Sequence, residues 1–301
     1  MEAGGSPSGG LGAELDRIEA AVDAGDTDLR RLGFWRVVAL IKRDDELIER
    51  HAEQVGRVDS KAFRARVGFR VPVWVGNGLL LGAIAVGILA VIVALSAGTP
   101  TLANEPNRFL SGAGLVVAAG AWAVGLHSPT HWLVGRLVGI RFTDYFLGGR
   151  PIPYPGLKTD YMTYLRVDPI RRAWMHASGA IATKLAPFLA LAFAAAADAP
   201  AWAVAILLVL GAFQIVTDVV ISTKRSDWKK VRRELAVARA RGRLRGKQPN
   251  LSAVQRKHLL SLYDAGEHTQ AELAELFSVS RTTVYREIQR RGAATKPADG
   301  P

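Results

Sequence analysis

The chain has 301 residues, no cysteine and a formal net charge of +12. Without cysteine, a disulfide framework and a thiolate metal site are excluded. Apolar residues make up 49% of the sequence but gather in long runs, which argues against an ordinary soluble two-domain protein and for lipid as the solvent of much of the chain.

Residues 1–70 open on a Gly/Ser-rich stretch and then become charged and helical in pattern, so no cleavable signal peptide is expected. Residues 11–66 read as two helices of a small cytoplasmic hairpin, with Leu29, Leu32, Trp35, Val38 and Ile41 as one apolar stripe ahead of the charged stretch 42–57. From Val73 to Ala97 there are 25 residues without a charge, and a bilayer core of roughly 30 Å takes about 20 residues of helix to cross. That run predicts a first span. A second, 110–135, holds His127 and His131; a third, 173–197, holds His176 and Lys184; a fourth, 199–223, carries Asp218 near its end.

The distribution of charge orients these four predicted spans. Lys and Arg number eight over 42–70, seven over 136–172 and eleven over 224–247, against a single Arg108 after the first span and none in the 198–200 turn. Positive residues stay inside, so both termini and the 136–172 loop are expected in the cytoplasm, in a multi-pass protein of the inner (cytoplasmic) cell membrane. Within that loop, 139–149 and 159–167 mix β-branched and aromatic residues around a turn-rich 150–156, which predicts a short β-hairpin over 139–167 at the membrane face. Residues 224–249 predict a basic linker helix, lying over anionic headgroups or touching nucleic acid.

From residue 250 to 292 the pattern is that of a small trihelical domain, followed by a disordered tail at 293–301. A first helix runs from about Ser252 to Ala265 and stops at Gly266. Thr269 caps a second with Glu272 as its capping-box partner, and Ser280 caps a third that turns Val284 and Ile288 inward. The outward face of that third helix carries Ser280, Arg281, Thr282, Thr283, Tyr285, Arg286, Gln289, Arg290 and Arg291. Donors of this kind reach base edges and phosphates in a major groove, so the expected partner is double-stranded DNA. The fold class expected is mainly α: a four-span helical membrane domain over 71–223 with a cytoplasmic β-hairpin, followed by a helix-turn-helix domain.

The stretch TQAELAELFSVSRTTVYREIQRR resembles the helix-turn-helix of resolvase and invertase recombinases. Ala274, Val279, Ser280, Arg281, Thr283, Val284 and Tyr285 fall where that family places them, whereas Ser278 stands where a turn glycine is common. The resemblance implies DNA binding. It does not extend to strand exchange, since four spans occupy the place of a soluble catalytic domain. Paired half-sites imply a homodimer, with 11–66 as the expected contributor.

His127 and His131, four residues apart, lie on one helix face near the predicted cytoplasmic end of the second span, level with Asp218. Two imidazoles and a carboxylate are a candidate zinc set with one position open for water. Pro129, between the histidines, is expected to kink or restart the helix. The layout of residues 110–223 resembles the site-2 protease family of intramembrane zinc metallopeptidases: His127-Ser-Pro-Thr-His131, a hairpin, Gly179-Ala-Ile-Ala-Thr183 and Asp218 take the places of that family's motifs. Ser128 stands where the family has its glutamate general base. The reading preferred from sequence is a membrane-tethered DNA-binding protein, a transcriptional regulator or chromosome tether. The alternative is a site-2-protease-like metallopeptidase or its inactive relative.

Overall fold

The first three helices form around one shared apolar stripe. In the computed structural model, which describes residues 7–99, 105–148, 154–220, 226–244 and 251–294, α1 (Pro7–Asp23), α2 (Phe34–Ile41) and α3 (Asp45–Arg66) enclose Leu15, Ile18, Phe34, Val38, Ile41, Val55 and Val58. Three helices replace the expected two because Gly33, at φ +80, breaks the chain ahead of α2. Asp44 then starts α3 by accepting from the backbone N–H of Glu46 at 2.8 Å and of Leu47 at 3.1 Å. Within the predicted stripe Leu29, Val38 and Ile41 are buried, but Trp35 faces outward and meets Tyr161 edge-on.

After the short strand β1 (Arg70–Pro72) come α4 (Val73–Ala97) and α5 (Glu105–Leu137), the two described helices long and apolar enough to cross a bilayer. Their contact is made by small residues. A Cβ on Gly114 would stand 2.7 Å from the Ala90 carbonyl oxygen, and one on Gly125 would stand 3.0 Å from that of Leu80. Small residues at a helix crossing let backbones touch, the device helices use where no hydrophobic effect drives them together. Away from this contact α4 exposes Trp74, Leu79, Leu81, Leu89 and Ile92.

The hairpin differs from expectation in its second arm. Strands β2 (Phe142–Gly148) and β3 (Tyr154–Thr159) are antiparallel, and β1 joins on the far side to give the order β1-β2-β3. The predicted arm over 159–167 is instead the helix α6 (Tyr161–Arg166), started by Asp160, whose carboxylate accepts from Met162 N–H at 3.2 Å. An aspartate followed by residues of fair helix propensity overrides the β-branched signal. Pro155 is tolerated because β3 is an edge strand.

Helix α7 (Pro169–Leu191) begins four residues before the predicted third span and ends six before its close, and it carries Arg171, Arg172 and Lys184. In α8 (Ala201–Val220) the apolar stretch covers 201–217. Both fall short of the length or hydropathy that α4 and α5 show. The basic helix α9 (Asp227–Ala240) does not lie free over headgroups. It buries Glu234, whose Oε1 accepts from Lys42 Nζ at 2.8 Å and from Tyr164 OH at 2.8 Å, while Oε2 lies 2.9 Å from Arg172 Nε. Just beyond it Arg241 binds Asp45 at 2.7 Å and Arg243 binds Asp168 at 2.6 Å.

Burial by itself would raise the Glu234 carboxyl. The charges of Lys42 and Arg172 and the hydrogen bonds from Lys42 and Tyr164 outweigh it and hold the group below its usual value. A carboxyl depressed in the folded chain stabilises the fold above its unfolded value, and the contribution is lost as pH falls through the folded one. Glu234→Gln is therefore expected to cost about 1–2 kcal/mol at neutral pH, read by thermal unfolding of the detergent-purified chain. The gap from wild type should close on acidification through the depressed range in which the folded carboxyl takes up its proton. A gap of constant size across that range contradicts the account.

All of these elements belong to one compact unit, residues 1–244, and residues 245–301 form a second. The second unit consists of α10 (Ala253–Ala265), α11 (Gln270–Leu276) and α12 (Arg281–Ala294). The predicted tail lies, from residue 295 on, outside the described residues.

Candidate metal centre and candidate nucleic-acid interface

Helix α5 continues through Pro129 without interruption, and four-residue spacing brings both of its histidines to one face. The two rings stand edge to face with centroids 4.9 Å apart. His131 Nδ1 is 2.6 Å from the Met175 carbonyl oxygen, which can only accept, so Nδ1 carries the hydrogen. His127 Nδ1 is 2.9 Å from Thr183 Oγ1, and that hydroxyl already donates to the Gly179 carbonyl at 3.0 Å, so this Nδ1 is also the donor. Both Nε2 lone pairs are thereby left free. They turn to one carboxylate oxygen, Asp227 Oδ2, at 3.3 Å from His131 and 3.6 Å from His127.

Three acceptors drawn together repel one another unless a cation, a proton or a metal ion, sits among them. The three ligand atoms lie within 4.8 Å of one another, a group that could hold a metal ion. The other carboxylate oxygen, Asp227 Oδ1, receives Lys230 Nζ at 2.9 Å. Burial alone would raise the Asp227 carboxyl, yet a proton shared from His131 together with the charge and hydrogen bond of Lys230 holds it well below the usual range.

The sequence placed the histidines and missed their carboxylate. The side chain of Asp218 lies outside the described residues, and among the described residues the acid beside the imidazoles is Asp227, nine positions further on. Gly179, noted in the sequence within Gly179-Ala-Ile-Ala-Thr183, is where α7 meets the histidines. A Cβ there would lie 2.4 Å from His131 Nε2 and 2.5 Å from the His127 carbonyl oxygen. Tyr145, on β2 beside this region, donates to Asn77 Oδ1 at 2.9 Å.

The C-terminal unit is built from its caps inward. Ser252 opens α10 with a capping box, its Oγ accepting from Gln255 N–H at 3.1 Å while Gln255 Oε1 accepts from Ser252 N–H at 2.8 Å. Gly266, at φ +74, ends that helix. Thr269 and Glu272 repeat the box on α11, and Ser280 Oγ accepts from Thr283 N–H at 3.3 Å to begin α12. The helices close on Leu251, Leu259, Leu273, Ala274 and Val284. Ala274 has no side chain beyond Cβ, so α11 can approach its neighbours closely. On α12 the residues Ser280, Arg281, Thr282, Tyr285, Arg286 and Arg290 face solvent, and Thr283 is half-buried.

Residues 246–288 match the helix-turn-helix domain of resolvase. No curated protein and no solved structure shows a significant match to the chain. The match stops at the C-terminal unit, and no comparison supports the likeness of residues 110–223 to the site-2 proteases.

One residue of the resolvase-type module was not foreseen from sequence. Glu287 is buried on the inner side of α12 and takes Arg256 at 2.8 Å and Arg290 at 2.9 Å. Its position three residues after Val284, on the inward stripe, is the signal that would have found it. Arg290 is thus engaged within the module, and Arg291 is fastened to Asp264 at the other side. Arg281 and Arg286 form no ion pair among the described residues. Ser278, in the turn between α11 and α12, sits at φ +51. That left-handed backbone strains any residue with a Cβ, so Ser278→Gly is expected to stabilise the unit by about 0.5–1 kcal/mol. Urea unfolding of a 245–301 fragment reads this as a higher midpoint, and an unchanged or lower midpoint refutes it.

Proposed function

We propose that the chain is a membrane-tethered DNA-binding protein that acts as a transcriptional regulator or chromosome tether. One observation carries the reading: a resolvase-type helix-turn-helix whose α12 presents Arg281 and Arg286 to solvent, free of ion pairs among the described residues. A resident cation on an open face neutralises phosphate and releases counterions, whereas one held by a carboxylate must first break that pair. The tethering half is supported by the apolar surfaces of α4 and α5, where Trp74, Leu79 and Val124 are each more than 60% exposed. Surfaces of that extent are rare on monomers in water. With α7 and α8 as two further spans, both termini face the side where Lys and Arg gather. A homodimer would present two α12 helices to paired half-sites.

The test is the binding of the 245–301 fragment, which has a core of its own, to duplex DNA between about 50 and 200 mM salt. The reading requires affinity to fall steeply, by about tenfold or more over that range. Binding that is absent, or flat in salt, refutes it.

The histidine pair favours a second reading for the membrane unit, that of a zinc-binding relative of intramembrane metallopeptidases. Zinc bonds of about 2.0–2.1 Å at tetrahedral angles put neighbouring ligand atoms roughly 3.3 Å apart, close to the 3.3 and 3.6 Å seen here. When bound, such an ion would polarise water or a carbonyl group. His127, His131 and Asp227 would hold it, and the two Nδ1 hydrogen bonds would fix the imidazoles. Ser128 supplies no base where a protease would need one, so this reading assigns the centre to sensing or scaffolding. Elemental analysis of purified chain tests it: near one zinc per chain, lost in His131→Ala, supports the site, and zinc-free wild type removes it.

A further inference from the structure

Where α2, α6, α7 and α9 meet, the fold encloses a cavity of about 280 Å³, at the small end of the range for ligand pockets. Its wall brings together three cations, Lys42, Lys230 and Arg233, with the hydroxyls of Thr159 and Tyr161 and a single carboxylate, Glu234. That carboxylate is already spoken for on both oxygens: Oε1 by Lys42 and the Tyr164 hydroxyl, Oε2 by Arg172. Arg172 is fully buried, and among the described residues neither of its terminal nitrogens has a hydrogen-bond partner. The Tyr164 ring lies between the two cations, 4.8 Å from Lys42 Nζ and 5.1 Å from the Arg172 guanidinium carbon.

The half-buried Lys42, on the cavity wall, and the buried Arg172, behind it, thus share one carboxylate, which leaves an excess of positive charge beside a polar cavity. Burial of unmatched charge is costly unless a counter-charge is supplied. At the open side Lys230 is 44% exposed and paired with Asp227, and Arg233 is exposed with no ion pair among the described residues. His176 completes the lining, its Nε2 2.9 Å from the Tyr164 hydroxyl, and cationic donors from several directions suit a multiply charged ligand with oxygens on several sides. A phosphate group has that shape, whereas a planar carboxylate would engage fewer of them.

We propose that this cavity is a binding site for a phosphate group, carried either by a small soluble phosphorylated compound or by the headgroup of an anionic phospholipid. Its walls come from four elements, and one of them is α9, which leads within a few residues into the DNA-binding unit. A bound phosphate would tie α9 to α7 and to the N-terminal helices through a charge that none of them supplies.

The experiment is a titration of detergent-purified full-length chain in EDTA, which takes the histidine centre out of play. Thermal stability and heat of binding are followed against inorganic phosphate, dioctanoyl phosphatidate and dioctanoyl phosphatidylcholine. Arg233→Ala and Tyr161→Phe are the cavity variants, and Arg281→Ala/Arg286→Ala controls for anions bound by the helix-turn-helix. Saturable binding of phosphate that weakens about tenfold in Arg233→Ala, and less in Arg233→Lys, is expected if the ligand is soluble. The same pattern with phosphatidate alone identifies a lipid. No saturable binding of either, or binding that persists unchanged in both cavity variants, overturns the proposal.

Discussion

Replacing Arg281 and Arg286 together by alanine in the 245–301 fragment is expected to weaken duplex DNA binding by about 30- to 1000-fold. An arginine contact to a base edge is worth about 1–3 kcal/mol, and one to phosphate adds to the salt slope. Two such losses amount to about 2–4 kcal/mol, which converts to the stated range. The effect should be nearly complete because neither guanidinium makes an ion pair among the described residues. Arg291→Ala, by contrast, should act through folding, since Asp264 holds that side chain across the module. Filter binding or fluorescence anisotropy reads the difference. A loss below about threefold for the double variant would mean that α12 is not the face that meets DNA.

On the zinc-binding reading, Gly179→Ala is expected to empty the histidine centre without replacing any of its ligands. The added methyl would lie 2.4 Å from His131 Nε2, the atom facing Asp227, and 2.5 Å from the His127 backbone oxygen. One of these contacts is backbone, so α7 must retreat from α5 or the imidazole must swing aside. Overpacking of this kind costs about 1–3 kcal/mol. Loss of a ligand's orientation lowers metal affinity about 10- to 100-fold, even for residues that only support a ligand. Zinc content should fall toward that of His131→Ala, with a modest loss of thermal stability. Full zinc retention in Gly179→Ala would show that the close approach of α7 does not govern the centre.

What could be read from the sequence divides along the distance over which residues act. The helix-turn-helix was legible to the residue, since its caps at Ser252, Thr269 and Ser280 and its stop at Gly266 are local chemistry. The histidine pair was legible for the same reason: its spacing is one helical turn. Asp227 was not, because it reaches the imidazoles from a separate helix 96 residues away and sits in a basic stretch whose composition reads as a solvated surface. The docking of α9 was hidden likewise, as Lys42 and Glu234 are 192 positions apart. In the hairpin, β-branched and aromatic content pointed to a strand over 159–167, but a single cap at Asp160 set a helix there. The charged residues of α7 show why a long apolar run is plainer in the sequence at α4 and α5, which are apolar along their length, than where a helix buries Arg172.

The proposed function joins DNA binding to a membrane through one chain, and one measurement reaches both halves together. Full-length protein reconstituted into lipid vesicles is mixed with fluorescent duplex DNA at low salt and floated through a density gradient. Wild-type vesicles should carry the DNA upward and release it as salt rises, while vesicles bearing Arg281→Ala/Arg286→Ala should rise without it. Protein that stays at the bottom of the gradient would contradict the membrane half, and wild-type vesicles that rise bare at low salt would contradict the DNA-binding half.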